Sequence, residues 1–428
     1  MTDRPLKQIH LAAHFPGVNN TTVWSDPDSG SHIEFDSFRH LAETAERGKF
    51  DFFFLAEGLR LRENKGRIHD LDVVGRPESI TVLNALAAVT TRLGLAGTVN
   101  ATFNEPYELA RRFASLDHLS GGRAAWNVVT SSDAFTGENF RRGGYLDRAD
   151  RYTRATEFVQ LARDFWDGGA ETVRHRGPQF EVEGRLSLPR PPQGHPVVIQ
   201  AGDSDEGREF AAATADIVFS RHSTLADGQA FHADVKRRLA AYGRKPDELK
   251  IMPGVTFALG DTDAEAAELA AEVRRSQVGP QTTIAFLEQV WGIDLSDHDP
   301  DGPLPAVDPD PDSALAQGRV RIGDPLAVAA RWRALAAEKK LTSRELVIEV
   351  TGRQSFIGSP ATVAERIDFF VQNDAADGFI LVPHLTPGGL DAFVDRVVPL
   401  LQERGVFRTD YSGTTLRDHL GLPLPGRR

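Results

Sequence analysis

The sequence predicts an α/β fold, specifically a closed (β/α)8 TIM barrel, and three observations carry that prediction. Short apolar runs alternate with helical patterns along the chain, which implies parallel strands joined by right-handed crossovers. The runs number eight, the count that closes such a barrel. Polar residues collect at the carboxyl ends of the runs, where a barrel builds its active site.

The first strand is expected over Gln8–Phe15, followed by a helix over Phe38–Gly48 with Leu41, Ala45 and Gly48 on one face. The second strand, Phe50–Glu57, reads FDFFFLAE and is nearly continuous apolar, as burial on both faces requires. Pro77–Thr91 reads as a helix opened by proline. Leu93–Ala101 is the third strand and Pro106–Leu119 the next helix. In the fourth strand, Arg123–Ser131, Trp126, Val128 and Val129 favour a pleated, packed surface, and Thr130, Ser131 and Ser132 end it. A helix over Asp150–Trp166 follows, then the fifth strand, Pro196–Gly202. The helix Glu206–Thr214, the strand Asp216–Ser220, the helix Asp227–Tyr242 and the strand Leu249–Leu259 continue the rhythm. The eighth strand is Gly378–Pro383, with the helix Leu390–Glu403 after it. An open doubly wound sheet is the rival fold, but it has no reason to stop at eight strands.

Two regions break the alternation. Asn64–Arg76 is a polar connection, and residues 276–358 form a long insertion. The insertion contains SDHDPDGPLPAVDPDPDS, Ser296–Ser313, whose Asp and Pro content predicts an exposed, mobile loop that buries little. Loops of this length are commonly lids, and on the carboxyl side this one would sit near the barrel mouth. The expected organisation is one barrel domain over 1–428, with that insertion and a C-terminal extension from about residue 404.

Composition narrows the function. The chain has 428 residues, 40% hydrophobic and 26% charged, which is ordinary for a globular protein. Its net charge of −12, without a long basic tract, argues against nucleic acid and anionic membrane as partners. There is no cysteine, so disulfides, thiolate nucleophiles and thiolate metal sites are excluded. No segment has the length and hydropathy of a membrane span, and the expected location is the cytoplasm.

The candidate site residues lie at strand ends: Glu57, Asn100–Thr102, Thr130–Ser132 and QAGDSDEG, Gln200–Gly207. The last is a strand, a turn and a helix start, where backbone N–H groups bind phosphate. Gly202 admits a close approach, and the Ser204 hydroxyl donates. The alternative is a plain N-cap by Ser204 or Asp205, and the acidic Asp203 and Asp205 oppose an anion unless their side chains turn away. Arg148 and Tyr152, in RADRY, are four apart and share a helix face; they read either as a phosphate clamp or as surface residues. Of the histidines, His14 and His222 are candidates to point into the barrel, while His10, His195 and His384 also lie near strands. Phe15, Trp24 and Phe54 are candidates for an apolar pocket, although core packing explains them equally well. HExxH, GxSxG, GxGxxG and P-loop motifs are all missing, so neither a metal site nor a hydrolase triad is expected.

These motifs resemble those of the nitrilotriacetate monooxygenase component A family, within the luciferase-like flavin monooxygenases. The blocks that carry the resemblance include FDFFFLAEG, TFNEPYELARRFASLDHLSGGRAAWNVVTS, DRYTRATEF, HPVVIQAGDSDEGREFAAATADIVFS, FIGSPATVAERIDFF and LLQERGVFRTDYSGTTLRDHLGLPLP. The C-terminal block is the most specific, because a generic barrel has no reason to carry it. The resemblance implies a two-component oxidoreductase that takes FMN, supplied reduced by a separate NAD(P)H-dependent flavin reductase, and uses O2 to oxygenate a small organic substrate. It implies FMN contacts at Glu57, Thr102, Arg148, Tyr152, Gly202, Asp203 and Ser204, with Asn127 and Ser131 near the ring, and a homodimer or homotetramer. Glu57 stands where the family usually has Asp, and Arg148 where it often has His. The alternatives are another luciferase-like barrel, such as a coenzyme F420-dependent reductase, and a non-catalytic flavin-binding protein.

Overall fold

A computed structural model of the chain describes residues 5–17, 21–57, 59, 63–64, 67–68, 77–130, 140, 150–169, 171–222, 224–311, 324–352 and 355–427. Eight parallel strands form its centre: β1 (His10–His14), β2 (Phe52–Leu55), β3 (Gly94–Asn100), β4 (Ala124–Val129), β5 (Val197–Gln200), β6 (Ile217–Val218), β7 (Lys250–Ile251 and Gly254–Leu259) and β8 (Gly378–Leu381). Each pairs with the next, and β1 pairs with both β2 and β8. Strand β7 closes the ladder. Its first segment pairs with β6 and its second with β8. Between the segments, the Met252 N–H donates to Val218 O at 2.8 Å and the Ile380 N–H to Pro253 O at 2.9 Å. The eight strands coincide with the eight runs expected from the sequence, shortened at their ends.

Burial on both faces explains why the runs read as continuously apolar. Ala12, Phe52, Phe54, Ala96, Ala125, Val197, Ile199, Ile217, Met252 and Ile380 fill the barrel interior as one cluster. Alternate residues, including Leu11, Phe53, Leu95, Trp126, Val198 and Phe379, pack outward in the larger core shared with the helices. Phe15 belongs to that outer layer: it stacks on Phe38 of the helix Phe35–Arg47, ring centroids 4.2 Å apart, so it does not line a pocket.

The amino end of the barrel is closed by charge and by the C-terminal segment. Asp51, Asp216 and Asp377 each stand one residue before an even-numbered strand. Each accepts a backbone N–H from the preceding odd strand, Leu11 at 2.9 Å, Val198 at 2.9 Å and Ile251 at 2.8 Å. Their cationic partners are Arg408, Arg417 and Lys236. Two of those arginines come from the C-terminal block, and Leu416, Leu420 and Leu422 of the same block join the interior cluster. Thus the block that a generic barrel lacks is the plug of this barrel's floor.

The 276–358 insertion differs from the exposed loop expected. Among the described residues it forms the helices Pro280–Trp291, Pro325–Lys339 and Ser343–Val350, around a core of Val278, Leu287, Val290, Trp291, Leu295, Val328, Ala329 and Val347. The Asp/Pro segment is largely exposed up to residue 311, as expected, but it is tied down. Trp291 Nε1 donates to Val307 O at 2.9 Å, and the Ser343 N–H donates to Gly302 O at 2.8 Å. The insertion leaves and returns at the carboxyl side. Beyond its pairing with β8, β7 continues to pair with Ser355–Gly358, and Gln277 Nε2 donates to the Thr21 carbonyl in the loop after β1. The sequence reading also missed the helix Asp263–Gln277 and the hairpin Val173–Arg176/Glu181–Gly184. Among the described residues no helix is long and apolar enough to cross a membrane.

Candidate functional site

The carboxyl mouth changes character over a few ångströms. Its floor is aromatic. The His14 and Phe54 rings lie 5.3 Å apart, and Phe54 stacks on Phe219 at 5.8 Å, bridging the lumen from β2 to the end of β6. Gly254 makes room for this bridge, because a Cβ there would lie 2.4 Å from Phe219 Cζ. On the wall, Asn127 shares the inward parity of Ala125. Its Nδ2 donates to Thr98 Oγ1 at 3.0 Å on neighbouring β3. Asn127 is only 5% exposed, and its Oδ1 has no hydrogen-bond partner among the described residues. Buried polar atoms are nearly always paired, so an orphaned amide oxygen facing a lumen marks room for a donor.

The turn after β5 is a cradle. It leads into the helix Asp205–Thr214, whose N-cap Ser204 accepts the Gly207 N–H through Oγ at 3.2 Å. A Cβ on Gly202 would lie 2.5 Å from Gln200 Nε2 and 2.9 Å from Tyr152 Oη. One on Gly207 would lie 2.9 Å from both Tyr152 Oη and the Gly202 carbonyl carbon. Two glycines and a phenol hydroxyl therefore meet at a helix N-terminus, where N–H groups and the dipole favour an anion. The acidic neighbours do turn away. Asp203 faces Arg208 and His222, each at 3.3 Å, and Asp205 pairs with Arg238. The Glu206 carboxyl is held below its ordinary range by its own backbone N–H and by the Ser204 hydroxyl. Among the described residues a cation beside Tyr152 is Arg151, which the sequence reading passed over. Its guanidinium sits 4.7 Å over the Tyr152 ring, and its buried Nε has no partner among the described residues.

The remaining expected residues lie on the same arc of strand ends. Half-buried Glu57 follows β2 and accepts the Ser79 N–H through Oε1 at 3.5 Å, at the start of the helix Ser79–Ala87. Thr102 is buried in the turn after β3, its N–H donating to Asn100 Oδ1 at 2.6 Å. Arg154 straps that turn, Nε donating to Ala101 O at 3.2 Å and Nη2 to Asn104 O at 3.3 Å. Because Arg154 and Tyr152 share the helix Asp150–Gly168, one helix fixes the turns after β3 and β5 together. Ser131 and Arg148 lie outside the described residues. Of the histidines, His14 reaches the lumen, whereas His222 packs tilted against Phe231, ring centroids 4.3 Å apart, outside it. Arg154 was missed but left a signal: it falls on the buried stripe of its helix with Phe158, Leu161 and Phe165. Gly207 closed the QAGDSDEG stretch without a role of its own, and its signal was a glycine in a helix where alanine is favoured by about 1 kcal/mol. Among the described residues no cluster of His, Asp and Glu has the geometry to hold a metal ion.

Eight parallel strands around a lumen that holds the orphaned Asn127 amide oxygen, with a helix-start cradle at the carboxyl mouth, have the architecture of an enzyme of the α/β-barrel class. The chain belongs to the Luciferase-like monooxygenase family, whose profile matches residues 17–378. It is 39% identical to the N-acetyl-S-(2-succino)cysteine monooxygenase of Bacillus subtilis (strain 168), over 99% of this chain and 98% of that one. It is 40% identical to nitrilotriacetate monooxygenase component A of Aminobacter aminovorans, over 94% of this chain and 93% of that one. Among solved structures it resembles a riboflavin lyase determined with modified FMN and riboflavin, with a TM-score of 0.79 and 28% identity over 98% of this chain and 97% of that one. The chain is accordingly a flavin-dependent monooxygenase.

Proposed function

We propose that this chain is the oxygenating component of a two-component system. It takes up FMN reduced by a separate NAD(P)H-dependent flavin reductase and uses O2 to oxygenate a small organic substrate. The observation that carries this reading is the cradle of Gly202, Gly207 and Tyr152, with Asp203 and Asp205 both engaged by cations elsewhere. It suits a phosphate on an exposed-to-buried boundary, and the orphaned Asn127 Oδ1 suits the N–H edge of a ring deeper in the lumen.

In this reading the Ser204 hydroxyl, Tyr152 Oη, the Arg151 guanidinium and the backbone N–H groups at the helix start hold the phosphate, with Gly202 and Asp203 forming the turn beneath it. Asn127 and Thr98 orient the ring, and Glu57 and Thr102 border it. Ser131 and Arg148 complete the set by resemblance. Reduced FMN held there would supply the two electrons by which O2 gives one oxygen atom to the substrate and the other to water. The chain's own work is to bind, orient and exclude water. The aromatic floor blocks the lumen from below, and we assign the role of cover to the helical insertion, which leaves and returns at the carboxyl side. We read the whole as one barrel domain over 1–428, assembled as a homodimer or homotetramer.

The test is oxygen uptake and product formation with FMN, NADH and a flavin reductase, run against a panel of small organic substrates. Oxygenated product that requires all three additions supports the proposal. Turnover without O2 favours a reductase, and a chain with no affinity for FMN in either redox state contradicts the proposal.

A further inference from the structure

Strands β1 and β8 are neighbours, so the loops that follow them emerge side by side at the mouth. Two backbone bonds lock the loops together: the Val23 N–H donates to His384 O at 2.8 Å and the Gly30 N–H to Thr386 O at 2.5 Å. The fit leaves no slack, since a Cβ on Gly30 would lie 2.8 Å from Pro387 Cδ. Around these two bonds, buried side-chain atoms have no hydrogen-bond partner among the described residues: Ser29 Oγ beside Gly30, and a set of four, Thr22 Oγ1, Trp24 Nε1, His384 Nδ1 and Thr386 Oγ1. Thr22 and Thr386 are fully buried.

One orphaned polar atom is a local imperfection. Four within one interlocked loop pair, beside the lumen of an enzyme, form a set that something else satisfies. The chemistry of the set restricts that partner. An indole N–H only donates, and each threonine hydroxyl can donate. Burial lowers the pKa of His384, so it is a neutral imidazole rather than a fixed cation. Trp24 and the two threonines thus offer uncharged donors to an acceptor. A cationic group finds no acceptor at Trp24, and an alkyl group leaves all four atoms unpaired.

We propose that Thr22, Trp24, His384 and Thr386 form a substrate-positioning site that hydrogen-bonds an sp2 oxygen of the substrate, either a carboxylate or a carbonyl. The proposal rests on the reading of the barrel mouth as the place of oxygenation. It assigns the polar end of the substrate to the β8–β1 side, across from the phosphate cradle after β5. The reacting atom then lies between the two, over the Phe54–Phe219 floor.

The experiment titrates the full-length protein, with and without FMN, against succinate, succinamide and 1,4-diaminobutane by calorimetry. Succinate or succinamide is expected to bind and 1,4-diaminobutane not to; the preference between the first two distinguishes carboxylate from carbonyl. Thr386→Val and Trp24→Phe should each weaken that binding about tenfold. Neither should change FMN affinity, and Thr386→Val should not lower Tm, because a methyl group replaces a hydroxyl that has no partner. The proposal is overturned if neither oxygen-bearing probe binds, if the variants bind them as the parent does, or if 1,4-diaminobutane binds instead. Failure to bind FMN would count against the flavin reading and leave the probe titrations without flavin to decide this one.

Discussion

Replacing Gly207 with alanine puts a methyl group into the tightest part of the cradle. The new Cβ would lie 2.9 Å from the Gly202 carbonyl carbon, 3.0 Å from Gly202 Cα and 2.9 Å from Tyr152 Oη. The phenol can swing aside, but the two backbone atoms cannot, so the turn itself has to move. Overpacking of this kind costs about 1–3 kcal/mol. Alanine recovers about 1 kcal/mol because Gly207 lies within a helix. The net loss of stability is therefore small, about 0–2 kcal/mol. The displaced turn carries the N–H groups proposed to hold the phosphate, and losing about 1.4 kcal/mol of contact there lowers affinity about tenfold. Flavin fluorescence titration, with a thermal melt of the same sample, separates the two effects. The expected pattern is a nearly unchanged Tm with FMN binding weakened tenfold or more. A G207A protein with parental FMN affinity and a raised Tm would show that the methyl group fits, and would refute the close-approach argument.

Other outcomes follow from the same geometry. Arg151→Gln should weaken FMN binding about tenfold by removing a charge-assisted donor, measured by the same titration. Glu206→Gln should strengthen it several-fold, since a carboxylate no longer competes for the helix N-terminus. Arg417→Met strands the Asp216 charge and should cost about 3–5 kcal/mol in urea unfolding, much of it recovered in D216N/R417M. Burial of Asp51 pushes its pKa up, but Arg408 and His10 outweigh burial and bring it down to about 2, from 3.8. A carboxylate with a depressed folded-state pKa adds stability above its unfolded pKa and loses it as pH falls through the folded one. About 2 kcal/mol should thus disappear between about pH 4 and about pH 2, and the D51N profile should be flatter across that window.

The strands were legible because both of their faces are buried, so runs such as Phe52–Leu55 carry a continuous apolar signal that needs no partner to be recognised. The cradle was half legible. QAGDSDEG announced a strand, a turn and a helix, but whether Asp203 and Asp205 opposed an anion depended on Arg208, His222 and Arg238. Those partners are fixed by tertiary packing and leave no local trace. The insertion misled for a related reason. Its Asp/Pro segment is low in apolar residues, and the core that orders it comes from Trp291, Val328 and Val347 on flanking helices. The C-terminal block was recognisable as a pattern, yet its purpose was hidden. Only closure of the barrel brings Leu416 and Leu420 to the interior and Arg408 to Asp51. Phe15 shows the cost of a one-residue parity: a strand-end aromatic faces either pocket or helix, and here it faces Phe38.

The central claim is that this barrel holds FMN by its phosphate on the turn after β5. A crystal structure of the FMN complex tests it most directly. The account predicts the phosphate against the Gly202–Gly207 turn within reach of Ser204, Tyr152 and Arg151, with the ring over the Phe54–Phe219 floor beside Asn127. A phosphate on the loops after β7 and β8, where barrels more often place it, would contradict the account.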